Sequence, residues 1–215
     1  MFDTILFDLD GTLTDPKIGI TKCAQYALKS FGIDEPDLDR LEGFIGPPLQ
    51  QSFMEYYGFD SEKANAAIAK YRERFSTVGL FENNVFPGII DLLAYLKRSG
   101  KTLAVATSKP EVFMHQILEK YGLASFFDLA IGSEIDGARV DKAEVIEEVL
   151  KRLDLNGTDR AKVVMVGDRK FDIIGAKACG IRAIGVRYGY AVENELESAG
   201  ADYIFSTVDE LKDFL

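Results

Sequence analysis

The feature that most constrains this chain is the stretch Ile5-Leu6-Phe7-Asp8-Leu9-Asp10-Gly11-Thr12, close to its start. Phe2 to Leu9 is mostly apolar and β-favouring, the pattern of a strand buried in a parallel sheet, and it stops abruptly at an Asp-Gly-Thr turn. Two carboxylates are thereby predicted at the carboxyl end of a strand, where open α/β sheets bind their ligands. Asp8 and Asp10 are expected on one side of an extended backbone, because side-chain direction repeats every two residues. Such a pair suits a divalent cation, although Asp and Gly also occupy turns through their tolerance of unusual φ and ψ. The rest of the chain separates these two readings.

Asp15-Pro16 predicts an N-cap with Pro at the first helical position, and a helix running to Phe31 before Gly32. Helices are also predicted from Pro36 to about Glu42, from Pro48 to Tyr57 and from Ser61 to Phe75, with no strand among them. Residues 16–83 therefore read as an all-helical insert. From Pro87 onward helix and strand alternate, the signature of a parallel sheet with helices on its faces. The helix Ile89 to Arg98 is followed by a strand, Thr102 to Ala106, that stops at Thr107-Ser108-Lys109-Pro110. A helix from Pro110 to Tyr121, a strand from Phe127 to Ile131 and a helix from Lys142 to Leu153 come next. The strand Lys162 to Val166 ends at Gly167-Asp168-Arg169-Lys170-Phe171-Asp172, and a helix from Ile173 to Cys179 closes at Gly180. Strands Ile181 to Val186 and Tyr203 to Phe205 precede a last helix, Thr207 to Phe214, where Thr207 and Glu210 can form a capping box. The expected fold is α/β, a Rossmann-like parallel sheet core of residues 1–15 and 84–215 carrying the helical domain 16–83.

Charge narrows the partners. A net charge of −10 argues against a nucleic-acid polymer or an anionic membrane surface. It does not oppose a small phosphorylated substrate, because a metal and a few local cations reverse the potential of one pocket. The opening residues lack a basic segment, and no apolar run reaches the roughly 20 residues of a membrane span, so a cytoplasmic location is expected. Cys23 and Cys179 lie on apolar faces of predicted helices and are expected as reduced, buried thiols. His115, the single histidine, is expected at a surface or packing position without a catalytic role.

In chain order, a hydrophobic strand into Asp8-x-Asp10-Gly-Thr, a strand into Thr107, an isolated Lys142 and a strand into Gly-Asp168-x-x-x-Asp172 resemble the four motifs of the haloacid dehalogenase superfamily. The helical insert resembles that superfamily's cap domain. Asp10 marks the metal-dependent phosphatase branch, since dehalogenases lack it. The resemblance implies that Asp8 is the nucleophile and forms an aspartyl-phosphate, with Asp10 the acid and then the base. It implies Mg²⁺ held by Asp8, the Asp10 carbonyl and Asp168, with Asp172 acting through water. Thr107 and the Ser108 amide suit a phosphate oxygen, and Lys142 suits both the phosphate and Asp8.

Each assignment has a plainer alternative. Thr107 and Ser108 can simply cap the helix that begins near Pro110, Lys142 can be a solvated helix residue, and Asp172 can serve the helix dipole. Lys109 and Arg169 can be phosphate contacts or surface charges. Gly46-Pro47-Pro48, Tyr71-Arg72-Glu73-Arg74 and Gly189-Tyr190 resemble the phosphoglycolate phosphatase and 5′-nucleotidase branch. The segment Asp136 to Lys142, followed by Ala143 where phosphoglycolate phosphatases usually have Pro, looks more like the 5′-nucleotidase type. Gly46, Pro47, Arg74 and Lys109 are accordingly expected to bear on substrate choice. The expected function is Mg²⁺-dependent hydrolysis of small phosphorylated metabolites. A sugar phosphomutase on the same scaffold is the alternative, and a phospho-acceptor signalling domain a weaker one, because such domains place the acceptor on the third strand and lack an inserted bundle. No oligomeric state follows from the sequence.

Overall fold

In the computed structural model, which describes residues 2–135 and 138–215, six strands form one parallel sheet. The elements in chain order are β1 (Thr4–Phe7), β2 (Thr14–Asp15), α1 (Lys17–Ser30), α2 (Leu49–Tyr57), α3 (Ser61–Phe75), β3 (Asn84–Val85) and α4 (Ile89–Arg98). They continue with β4 (Thr102–Pro110), α5 (Glu111–Lys120), β5 (Leu129–Ser133), α6 (Lys142–Arg152), β6 (Val163–Gly167), α7 (Lys170–Ala178), β7 (Arg182–Val186), α8 (Glu195–Ala199), β8 (Tyr203–Phe205) and α9 (Val208–Phe214). The strand order is β5-β4-β1-β6-β7-β8, and β2 pairs with β3 in a separate short ribbon. The chain divides into two compact units, one of residues up to Asp15 with Val85–Leu215 and one of Pro16–Asn84.

The sheet fixes where chemistry can occur. The chain runs from β1 outward through β4 to β5, then returns to β6 on the other side of β1 and runs outward through β7 to β8. The reversal opens a crevice at the carboxyl ends of the central strands. Phe7 of β1 is in register with Val105 of β4 and Val166 of β6, so the residues just beyond them emerge side by side. Every residue of β1 is buried, as expected of a strand covered on both faces. On one face Leu6, Ala104, Val163 and Met165 pack against Val145, Ile146, Val149 and Leu150 of α6 and Ile173 and Ala176 of α7. Burial of each large aliphatic side chain stabilises the core by about 1.5–3 kcal/mol.

The helical unit has its own core. Cys23, Ala24, Ala27 and Leu28 of α1, Ala64, Ala67, Tyr71 and Phe75 of α3, and Phe53 of α2 are buried. Phe53 meets Phe44 edge-on at 4.9 Å and stacks on Phe59 at 5.9 Å. Gly58, at φ 64°, ends α2 in the left-handed conformation that suits glycine.

Several boundaries differ from expectation. The first strand spans Thr4–Phe7 rather than Phe2 to Leu9. Asp15 does not cap α1, because β2 takes it up; Pro16 occupies the cap position, with no side-chain hydrogen bond. The helix expected at Pro36 is a 3-10 helix over Leu38–Phe44, opened by the Asp37 carboxylate accepting from the Asp39 amide. α7 begins at Lys170, three residues before the expected Ile173, because Asp172 accepts from the Arg169 amide and stabilises the first turn from within. At α9 the Thr207 hydroxyl accepts from the Glu210 amide, but the Glu210 carboxylate reaches the Ser206 amide instead of closing a capping box.

Candidate active site

The three polar segments expected at strand ends, and Lys142 at a helix start, come together at the carboxyl edge of β4, β1 and β6. Asp8 follows β1, Thr107 lies near the end of β4, Asp168 follows β6, and Asp172 and Lys142 project from the first turns of α7 and α6. Carboxylate oxygens of Asp8, Asp168 and Asp172 lie within 4.8 Å of one another, and all three residues are buried. The Lys142 ammonium is 2.9 Å from Asp8 Oδ1 and 2.8 Å from Asp172 Oδ1, and donates to the Ala106 carbonyl at 3.1 Å. The ammonium is thereby placed between two carboxylates and a carbonyl, with Asp172 Oδ1 held by charge and, among the described residues, in no hydrogen bond. Burial works against the Lys142 charge, but Asp172 and Asp8 together hold the ammonium above its ordinary range. The solvated reading of Lys142 is excluded.

The other carboxylates are held differently. Asp8 Oδ1 also accepts from the Leu9 amide at 2.7 Å. Asp168 Oδ1 accepts from the Thr12 hydroxyl at 3.3 Å and Oδ2 from the Tyr190 amide at 2.8 Å. Among the described residues no ammonium is paired with Asp168, and burial, with Asp172 and Asp8 nearby, raises its carboxyl well above the usual range. Burial likewise pushes Asp172 up to about 6 against the pull of Lys142. Asp10 is pushed up by burial and drawn down by Lys109, whose Nζ is 2.5 Å from Oδ2. Asp8 and Asp10 therefore take different lysines, because the extended backbone stops at Phe7 and the two-residue alternation does not continue through the turn.

Close backbone approach completes the cluster. Gly11, at φ +82°, lies so near that a Cβ would sit 2.1 Å from Asp168 Oδ2, and a Cβ on Gly189 would meet Asp168 Cβ at 2.4 Å. Only glycine admits the Asp168 carboxylate between these two loops. Sequence reasoning read Gly11-Thr12 as a turn and missed that both residues brace Asp168. It also missed Glu195, whose buried carboxylate accepts from Arg169 Nε at 3.0 Å, the Lys170 amide at 2.8 Å and the Val192 amide at 3.0 Å. No local pattern points across the 26 residues that separate Glu195 from Arg169. The pair ties Arg169 to Glu195, and it pins the turn from Asp168 into α7, whose first turn carries Asp172.

Thr107 is buried and its hydroxyl accepts from the Lys109 amide at 3.3 Å; α5 is entered from Pro110 with no side-chain cap, so neither Thr107 nor Ser108 serves as one. Lys109 is buried, not a surface charge. In the helical unit Gly46, at φ 103°, and Pro47 lead into α2 through Pro48. Arg74 donates to Glu82 at 2.7 Å and to Cys23 Sγ at 3.3 Å within that same unit. Both cysteines are buried thiols outside any disulfide, and His115 is exposed, 3.8 Å from Glu111. Asp136, within the loop before Lys142, lies outside the described residues.

Fold and site together define the class: a parallel α/β enzyme whose carboxylates gather at the switch point of its sheet. The model of the haloacid dehalogenase-like hydrolases matches residues 5–186. A 5′-nucleotidase of Pseudomonas aeruginosa is 51% identical over 197 residues, covering 92% of this chain and 88% of the relative. The crystal structure of a predicted phosphatase from Clostridium acetobutylicum superposes with a TM-score of 0.95 at 48% identity, covering 100% of this chain and 98% of the other. A putative phosphatase from Clostridium difficile gives 0.89 at 50% identity, with the same coverage. The chain belongs to the haloacid dehalogenase-like hydrolase family, and it is a phosphatase of that family. Membership removes the signalling-domain alternative.

Proposed function

We propose that the chain hydrolyses phosphomonoesters of small metabolites in two steps through an aspartyl-phosphate on Asp8, with Mg²⁺ as cofactor. The observation that carries this reading is a charge count. Four buried or nearly buried carboxylates, Asp8, Asp10, Asp168 and Asp172, face two ammonium groups, Lys109 and Lys142, which leaves two negative charges. A deficit of two in a site of hard oxygen donors fits one divalent cation. Asp8 and Asp168, the Asp10 carbonyl and, through water, Asp172 would hold it. When bound, the ion supplies compensation for phosphoryl charge that the protein cations leave unmatched.

The chain's own residues divide the remaining work. Asp8 Oδ1 is occupied by the Leu9 amide and Lys142, so Oδ2 would attack phosphorus as the bond to the leaving oxygen breaks. Asp10, whose carboxyl burial pushes up against the pull of Lys109, would pass a proton to that oxygen. In the second step it would take a proton from water, whose oxygen displaces Asp8 and releases inorganic phosphate. Thr107 and the Ser108 amide would receive phosphoryl oxygens, and Lys142 would keep Asp8 aligned while balancing the incoming charge.

The nucleoside monophosphate class is the substrate we favour over phosphoglycolate, supported by the identity to the Pseudomonas 5′-nucleotidase. We assign leaving-group choice to the helical domain of residues 16–83, with Gly46 and Pro47 bearing on it and Arg74, paired with Glu82, holding that unit's shape. A panel of nucleoside monophosphates, phosphoglycolate and sugar phosphates, assayed with Mg²⁺ and again in chelator, tests the reading. Nucleotide hydrolysis that requires the metal is expected; undiminished hydrolysis in chelator, or a higher kcat/KM for phosphoglycolate, would contradict it.

A further inference from the structure

The bulge at the end of β4 places a charged group where the proposed reaction uses one. β4 pairs with β5 up to Ala106↔Ile131, and the register then shifts before Pro110↔Ser133. Such a shift re-aims the side chains it carries. β5 supports the displaced segment: the Ser133 hydroxyl donates to the Ser108 carbonyl at 2.8 Å, and Gly132 lies so close that a Cβ there would be 2.5 Å from the Lys109 carbonyl oxygen. The result is a lysine with 6% of its side chain exposed and its ammonium 2.5 Å from Asp10 Oδ2. Among the described residues Asp10 Oδ1 is buried and has no hydrogen-bonding partner. One oxygen of this carboxylate is thus fixed and the other is uncommitted.

We propose that Lys109 is a positioning residue that holds the Asp10 carboxylate by Oδ2 and leaves Oδ1 as the atom that exchanges a proton with the ester oxygen and with water. The assignment rests on Asp10 being the acid and base of the reaction above. It also places Lys109 away from substrate selection, where the sequence pattern had put it. An aspartate side chain has few bonds to restrain it, and an ion pair inside a mostly dry site fixes one rotamer of it. Misplacement of a catalytic group by about 1 Å costs on the order of 100-fold in rate.

The test is a cycle of Lys109→Met, Asp10→Asn and the double variant, read as kcat/KM for two esters of different leaving-group basicity. The poor leaving group is a nucleoside monophosphate and the good one is para-nitrophenyl phosphate. Loss of Lys109 should lower kcat/KM for the nucleotide by about 100-fold and for the nitrophenyl ester by no more than a few-fold, because protonation matters most for a basic leaving oxygen. The double variant should be no slower than Asp10→Asn, since a residue that acts only through another adds nothing once that other is gone. Lys109→Arg should recover part of the nucleotide activity, and Lys109→Gln repeats the cycle should the methionine variant fold poorly. Equal losses on both esters would mean that Lys109 binds the phosphoryl group or supports the fold, and would overturn the proposal. So would losses that add in the double variant while Asp10→Asn remains selective for the nucleotide, and in that case the role of Asp10 stands. An Asp10→Asn variant with no leaving-group preference would overturn both.

Discussion

Two ion clusters, one in each unit, show how the same residue types serve different ends. In the helical unit Glu82 lies between Arg74 at 2.7 Å and Lys22 at 3.0 Å, all three partly exposed, with 22% of the Glu82 side chain and 40% of the Lys22 side chain in solvent. In the sheet unit Lys142 lies between Asp8 and Asp172 with Asp168 beside them, and no more than 9% of any paired side chain is exposed. The first cluster has excess cation and water to screen it, so it can tie α1 and α3 together at little cost. The second has excess anion and almost no exposure to solvent. Burial of like charges is unfavourable unless something compensates, so the sheet unit carries a destabilising feature, and the same burial raises the carboxyls of Asp168 and Asp172.

The largest effect should come from Asp8→Asn, which preserves shape but removes the attacking oxygen. Turnover should fall below detection with the circular dichroism spectrum unchanged; appreciable hydrolysis would remove Asp8 as the nucleophile. Asp10→Asn should slow hydrolysis of a nucleoside monophosphate by about 10²–10⁴-fold, the usual range for general acid–base help. Lys142→Met should destabilise the metal-free protein by about 3–5 kcal/mol in denaturant titrations, because it leaves buried carboxylates uncompensated. Glu82→Gln should cost no more than about 1 kcal/mol, as partly exposed pairs do. If Glu82→Gln proves as costly as Lys142→Met, the contrast between the two clusters is wrong.

Much of this was legible from the chain. Helices α3 and α4 and strand β8 begin and end where apolar spacing, turn residues and glycine place them, because each of these signals is local. Asp8, Thr107 and Asp168 were traceable for a related reason: each directly follows an apolar run, so finding the strand finds the residue. Lys142 has no such marker and was recognised only through family resemblance. The pairing of Lys109 with Asp10, residues 99 apart, depends on a bulge at a strand end, and that of Arg169 with Glu195 on a loop that folds back, so neither had a local signature. The ribbon of β2 and β3 was missed because its strands have two residues each, too short to show alternation.

The unbalanced carboxylates of the sheet unit are expected to form a divalent-cation site. Titration of chelator-treated protein with Mg²⁺ by calorimetry, on the unaltered chain, Asp168→Asn and Glu82→Gln, tests it most directly. Melting temperatures recorded without metal belong to the same measurement. One Mg²⁺ is expected to bind the unaltered chain and Glu82→Gln and none Asp168→Asn, which should instead melt about 2–4 °C higher than the unaltered chain in chelator, because a buried charge has been removed. Equal Mg²⁺ affinity in Asp168→Asn, or a lower melting temperature for it in chelator, would mean that these carboxylates are not the cation site.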